Sequence, residues 1–100
     1  MKPVQMHRAA RAELSAHIAY YEQQQAGLGL ALLTEVERVV TLLAQQPQLG
    51  APYKQTTLRS LHLRRFPYRL FSLELDGVLW IVAIAHDRRR PDYWHRRRVQ

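Results

Sequence analysis

Arginine and aromatic residues are concentrated in one stretch near the C-terminus, directly after an apolar run. The run covers residues 79–85 (LWIVAIA), and the cationic and aromatic block that follows His86 contains Arg88, Arg89, Arg90, Tyr93 and Trp94. Arginine presents a planar fork of donors that matches the oxygens of phosphate and carboxylate groups. The stretch therefore predicts a binding site for an anionic partner at the end of a buried strand.

The positive charge of the chain is confined to its second half. Residues 1–52 carry four basic and four acidic side chains, whereas residues 53–100 carry eleven basic and four acidic ones, which accounts for the whole net charge of +7. Three further arginines in this half are candidates for the same binding surface, namely Arg64, Arg65 and Arg69. The expected partner is nucleic acid or an acidic protein segment.

The sequence lacks the motifs that are typical of several enzyme classes. The chain has no cysteine, and its five histidines show no metal-ligand spacing, so we expect no metal site. The serines lie in no nucleophile-elbow motif, and the sequence contains no glycine-rich phosphate loop. The sequence thus argues against the hydrolase, kinase and nucleotide-binding classes, and we expect no cofactor.

Length and hydropathy predict a single domain over residues 1–100 with a basic tail over about 87–100. One hundred residues, 47% of them hydrophobic, are enough for one modest core. No run reaches the roughly 18 apolar residues that a membrane-spanning helix needs, and the N-terminus carries no apolar signal segment. We expect a soluble, cytoplasmic protein without a membrane partner.

The first half of the chain shows a short strand pattern and two helical patterns. Val4 and Met6 alternate as in a brief edge strand, and a helical face follows at Ala10, Leu14, Ile18 and Tyr21. Glycines at 27 and 29 predict a break between helices. A second helix is predicted over about 30–46, with a stripe of Leu32, Val36, Val39 and Leu43. The short connection predicts an antiparallel helical hairpin.

The second half is predicted to form a three-stranded antiparallel meander. After a loop marked by Gly50 and Pro52, strands are expected over 58–66, 68–75 and 78–85. Asp76 and Gly77 form the sequence signature of a tight hairpin turn. The last strand is apolar on both faces and should be central. Together these elements predict an α+β fold in which the helical hairpin packs on the meander plus the short N-terminal strand.

Short motifs that carry a family resemblance are spread over nearly the whole chain. They are AEL at 12–14, YYE at 20–22, GLG at 27–29, EVE at 35–37, LRRFPY at 63–68, IAH at 84–86 and RRPDYW at 89–94. Their order and spacing resemble the RelE/ParE superfamily of small bacterial toxins from type II toxin–antitoxin (plasmid stabilisation) modules. The resemblance implies a toxin that inhibits growth until a cognate antitoxin neutralises it.

One branch of this superfamily, the RelE-like toxins, consists of ribosome-dependent mRNA endonucleases. Cleavage through the RNA 2′-hydroxyl needs a proton acceptor, cations around the phosphorane and a donor for the leaving oxygen. If this chain were such an enzyme, the resemblance implies catalytic candidates at Arg65, His86, Arg88 and Tyr93, with Arg64 and Arg90 as further cations. RelE-like enzymes carry several lysines near the first meander strand, where this chain offers only Lys54.

The ParE-like branch inhibits DNA gyrase by binding, without chemistry of its own. LRRF at 63–66 and the AH followed by arginine at 85–88 look closer to this branch, which we favour. Contacts with the target or with the antitoxin are then expected at Arg64, Arg65, Arg69, Arg88, Arg89, Arg90, Tyr93 and Trp94. The resemblance implies an antitoxin with an acidic, amphipathic C-terminal segment, and operator DNA contacted only through that antitoxin. A non-toxic nucleic-acid-binding module is a further alternative.

Overall fold

Two helices cover one face of a five-stranded sheet in the computed structural model, which describes residues 1–88 and 97. The elements are β1 (Val4–Met6), α1 (Arg8–Gln24), α2 (Leu28–Gln45), β2 (Ala51–Pro52), β3 (Arg59–His62), β4 (Tyr68–Leu75) and β5 (Val78–His86). The strand order is β1-β5-β4-β3-β2. The predicted α+β architecture is confirmed. The sheet is mixed, however, because β1 runs parallel to β5 while the other neighbours are antiparallel.

The short strand β2 lies where the sequence predicted only a loop. Its two residues pair with Ser60 and Arg59 of β3 at the edge of the described sheet. An edge position tolerates Pro52, because the missing N–H is not needed for a further strand. The Arg59 guanidinium holds the segment that precedes β2, because it donates to the carbonyl oxygens of Gln48 at 3.3 Å and Gly50 at 2.8 Å.

A tight turn joins the two helices. Gly27 adopts a φ of +90°, and α2 begins directly after it at Leu28. The prediction that Gly29 belongs to the break is therefore wrong, since Gly29 is buried in the first turn of α2. The Glu22 carboxylate closes the turn by accepting the N–H groups of Gly27 and Gly29, each at 3.0 Å. A Cβ at Gly29 would lie only 2.7 Å from the carbonyl oxygen of Ile18, so glycine allows the helices to approach this closely.

The main core lies between the helices and the sheet. All four residues of the predicted α2 stripe are buried there, as are Leu70 of β4 and Ile81 and Ile84 of β5. A second apolar cluster occupies the opposite face of the sheet around Phe71 and Val82. Strand β5 is thus apolar on both faces and lies inside the sheet between β1 and β4, although the central strand of the five is β4 and not β5 as predicted.

The hairpin between β4 and β5 matches its sequence signature but contains an irregularity. Asp76 and Gly77 both have positive φ, at 53° and 77°, as a two-residue turn of this type requires. Farther along, Phe71 pairs with Ala83 while Ser72 pairs with Ile81, so Val82 has no partner on β4. This bulge changes which β5 side chains face the helices, and it explains why both Ile81 and Ile84 reach the main core.

Side chains cover the edge of β5 beyond the end of β1. The Glu13 carboxylate of α1 accepts the Ile84 N–H at 3.2 Å, and the Arg97 guanidinium donates to the Val82 carbonyl oxygen at 3.0 Å. Glu13 and Arg97 also form a bidentate ion pair with distances of 2.8 and 3.1 Å. We call this set of contacts the Glu13–Arg97 clasp. It satisfies backbone groups that a longer β1 would otherwise pair.

Candidate functional site

The predicted arginine pair lies in the connection between β3 and β4. The strand predicted over 58–66 covers only Arg59–His62, and Arg65, with a left-handed φ of 71°, lies in the turn that follows. Backbone hydrogen bonds from Leu63 to Tyr68 and from Asp87 to Pro67 hold the connection, and the Arg64 N–H donates to the Glu35 carboxylate of α2. Both arginine side chains are exposed beside α2.

A groove of about 430 Å³ lies between this connection and the start of α2. Its lining consists of Gly27, Leu30, Ala31, Thr34, Glu35, Arg38, Arg64, Arg65 and Phe66, and we call it the α2 groove. Leu30, on the apolar side of this groove, is 66% exposed. The Arg65 guanidinium lies 5.5 Å from the centre of the Phe66 ring. The groove therefore combines an apolar floor with a cationic rim.

Glu35 connects the rim of the α2 groove to α2 itself. Its carboxylate accepts hydrogen bonds from Nε and Nη2 of Arg38 at 2.8 and 2.9 Å, in addition to the Arg64 N–H. The hydrogen bond from Arg38 lowers the pKa of Glu35 below its ordinary value, and the Arg64 N–H lowers it further. An ionised Glu35 thus fixes the position of both Arg38 and the arginine connection.

Replacing Glu35 with glutamine tests this role through the pH dependence of stability. Because the folded-state pKa of Glu35 is lowered, its contribution is present above the unfolded-state pKa and disappears as the pH falls through the folded value. We expect Glu35→Gln to melt a few degrees below the unsubstituted chain at pH 7, with the gap closing under acidic conditions. Thermal unfolding followed by circular dichroism across this pH range measures the gap. A gap that stays constant down to pH ~2 would contradict the assignment.

A second depression of about 660 Å³ lies between α1 and the ends of β4 and β5. Its lining consists of His17, Tyr20, Tyr21, Gln24, Leu28, Tyr68, His86 and Arg88, and we call it the His–Tyr pocket. Tyr68 and His86 are direct cross-strand partners. The Tyr68 ring lies between two imidazoles, with centroid distances of 4.5 Å to His17 and 5.1 Å to His86.

A hydrogen bond determines the tautomer of His86, and burial keeps Tyr68 protonated. Nδ1 of His86 accepts the Arg88 N–H at 3.0 Å, so the neutral imidazole carries its proton on Nε2 and can donate from there. Burial raises the pKa of Tyr68 above its ordinary value, and a hydrogen bond with Tyr21 adds to the shift. Tyr68 therefore stays protonated at neutral pH.

The sequence-predicted site residues are distributed over several surfaces. Arg64 and Arg65 line the α2 groove, whereas His86 and Arg88 line the His–Tyr pocket. Arg69 lies on the other face of the sheet, where its guanidinium is 5.8 Å from the centre of the Phe71 ring. The remaining predicted residues lie outside the described part of the chain, namely Arg89, Arg90, Tyr93 and Trp94.

Sequence reasoning missed the α1 side of the His–Tyr pocket. His17, Tyr20, Tyr21 and Gln24 follow the i, i+3, i+4, i+7 spacing of one helix face, which was a usable signal. Arg38 and Leu30 of the α2 groove were also missed, because nothing in their spacing separates them from an ordinary helix surface. Among residues 1–88 and 97, no group of three or more potential ligands could hold a metal ion.

Comparison with known families identifies the family of the chain. The family model of the ParE toxin of the type II toxin–antitoxin system parDE matches residues 4–91. The chain belongs to the ParE toxin family. The matched residues include the whole lining of the α2 groove and of the His–Tyr pocket, so both surfaces lie within the ParE toxin domain.

A solved structure supports the fold of this ParE family member. The chromosomal ParDE TA system from P. aeruginosa contains a chain that is 24% identical, with a TM-score of 0.76, over 86% of this chain and 96% of that chain. No curated protein matches the sequence.

Neither described helix of this ParE family member is long and apolar enough to cross a membrane.

Proposed function

We propose that this ParE family member is a growth-inhibiting toxin that acts by binding DNA gyrase. Its membership in the ParE toxin family supports the toxin role, and the α2 groove is the observation that carries a binding mechanism. An apolar floor next to Arg38, Arg64 and Arg65 suits a protein segment that offers both apolar side chains and carboxylates.

The cognate antitoxin is proposed to neutralise the toxin by occupying the α2 groove. An amphipathic segment can place an apolar side chain on Leu30 and Phe66 while its carboxylates meet the rim arginines. Such a segment orders on binding, and its acidic residues match the excess of arginine in the second half of the toxin. Operator DNA would then be contacted through the antitoxin.

A RelE-like mRNA endonuclease is the second candidate function, and the His–Tyr pocket is the observation that favours it. His86 offers a proton on Nε2, and Arg88 supplies a cation beside it. His17 lies on the other side of Tyr68. An imidazole can donate a proton to the leaving oxygen, and a guanidinium can stabilise the charge of the phosphorane.

Induction of the chain without antitoxin distinguishes these functions. We expect growth arrest with an SOS response, and gyrase trapped on DNA by the purified protein. Arrest of translation with transcripts cut inside the ribosome would replace the gyrase proposal with the nuclease candidate. Normal growth, with salt-sensitive nucleic-acid binding, would overturn the toxin role altogether.

Matched arginine variants test whether the groove rim contacts gyrase. We expect Arg64→Ala/Arg65→Ala to weaken gyrase trapping by about tenfold or more, because interfacial arginines contribute strongly to binding. Arg8→Ala/Arg11→Ala removes the same charge from exposed positions of α1 and should leave trapping unchanged. Equal loss in both double variants would indicate a general charge effect and contradict a specific role of the rim.

Leu30→Asp is expected to separate antitoxin binding from folding. The substitution places a charge on the apolar floor of the groove, so affinity for the antitoxin should fall by about tenfold or more. Because Leu30 is exposed, the free energy of unfolding should change by no more than about 0.5 kcal/mol. Calorimetric titration with the antitoxin measures the affinity. Leu75→Asp, at an exposed position of β4, is the control, and an unchanged affinity for Leu30→Asp would place the antitoxin elsewhere.

A further inference from the structure

The His–Tyr pocket has the volume of a small-molecule site. Four side chains project from one face of α1, and the cross-strand pair Tyr68 and His86 forms the opposite wall. Its volume of about 660 Å³ lies in the range of about 300–1,000 Å³ that is usual for pockets binding small ligands.

Aromatic rings dominate the walls of the pocket. Tyr21 packs edge-on against Tyr20, Phe66 and Tyr68, with centroid distances of 5.3, 5.3 and 6.2 Å. Tyr20 contacts Tyr21 in this way and is itself 56% exposed. An exposed aromatic ring is suited to stacking against a planar group of a ligand.

The polar groups of the pocket favour an anion. Arg88 contributes an exposed guanidinium, and His86 can donate from Nε2. Of the described residues that line the pocket, none carries a carboxylate. The neighbouring Asp87 has its carboxylate 3.8 Å from Nδ1 of His62, on the other side of the strand. Guanidinium and imidazole donors without an opposing acid are typical of phosphate recognition.

We infer that the His–Tyr pocket binds a nucleotide, with its base stacked on the tyrosine wall and its phosphate held by Arg88 and His86. The same chemistry is presented by a free nucleotide and by a residue of a single-stranded nucleic acid. The inference does not depend on the gyrase target or on the antitoxin groove. The sequence indicates an anion site around Arg88, but it does not indicate the tyrosine wall, because α1 contributes that wall from a distant part of the chain.

Calorimetric titration of the full chain with AMP, UMP, adenosine and inorganic phosphate tests the inference. We expect saturable binding of a 5′-nucleotide, with adenosine and inorganic phosphate each weaker by about tenfold or more, since each lacks one of the two recognised groups. A single-stranded oligonucleotide forms the last arm. If the oligonucleotide binds and free nucleotides do not, the ligand is a residue of a single-stranded nucleic acid. If AMP binds and displaces the oligonucleotide, the pocket accepts the free nucleotide.

Two pocket variants and one control locate the binding. Tyr20→Ala and Arg88→Ala should each weaken binding by about tenfold, and Arg11→Ala should not change it. Tyr20 and Arg88 are exposed, so both variants are expected to fold, which circular dichroism verifies. The inference is overturned if no titrant binds saturably, if phosphate alone binds as tightly as AMP, or if both pocket variants bind like the unsubstituted chain.

Discussion

Replacing Glu13 with alanine is expected to lower the free energy of unfolding by about 2–4 kcal/mol. The Glu13 carboxylate is 13% exposed and its partner Arg97 is 16% exposed, so their ion pair is shielded from water. Removal of Glu13 leaves the Arg97 charge without this partner and the Ile84 N–H without its acceptor. Losing that much from the total of about 5–15 kcal/mol that is usual for a domain would be readily visible in urea denaturation.

Two comparisons separate the Glu13–Arg97 clasp from a general effect of charge. Glu37→Ala removes a carboxylate from an exposed position of α2, and its free energy of unfolding should stay within about 0.5 kcal/mol of the unsubstituted chain. The double variant Glu13→Ala/Arg97→Ala should lose less than the sum of the two single losses, because each single variant already removes their shared ion pair. Additive losses would show that the two side chains act independently and would contradict the clasp.

Gly29→Ala is expected to destabilise the protein by about 1–3 kcal/mol. On an isolated helix the same change is stabilising by about 1 kcal/mol, because alanine is the better helix former. Here the new Cβ would lie 2.7 Å from the Ile18 carbonyl oxygen, which belongs to the backbone of α1 and cannot rotate away. The helices must therefore separate, which weakens the Glu22 contacts at the turn as well. Thermal unfolding measures the loss.

Thr41→Ala is the matched control for the glycine substitution. Thr41 occupies an exposed position in the same helix, so alanine should raise stability slightly through helix propensity alone. If Gly29→Ala were as stable as Thr41→Ala, the close approach of the two helices would not depend on glycine.

Much of the fold follows from periodicity in the sequence. The apolar stripe of α2, the Asp76–Gly77 turn and the doubly apolar β5 all depend on local patterns, and the structure confirms each of them. The sequence predicts a break at Gly29 because glycine usually ends helices, whereas here packing against Ile18 determines its place. The strand β2 was missed because two residues are too few to show a pattern.

The candidate site was harder to predict than the fold. Arg64 and Arg65 were identified from composition, and they do lie together on the α2 groove. Their position depends on the left-handed backbone of Arg65 and on the Glu35 contact, neither of which a sequence pattern reveals. The His–Tyr pocket joins residues from α1, α2, β4 and β5, so only the tertiary structure brings them together.

The parallel pairing of β1 with β5 has a consequence for the synthesis of the protein. Val4 pairs with Leu79, so the N-terminal strand has no place in the sheet until nearly the entire chain has been translated. Strand β4 also pairs with β5, and three residues of β5 belong to the main core, namely Leu79, Ile81 and Ile84. A chain that stops before Val78 therefore has no means of completing its sheet. Premature termination anywhere upstream should abolish the native domain, and with it every surface that depends on the fold.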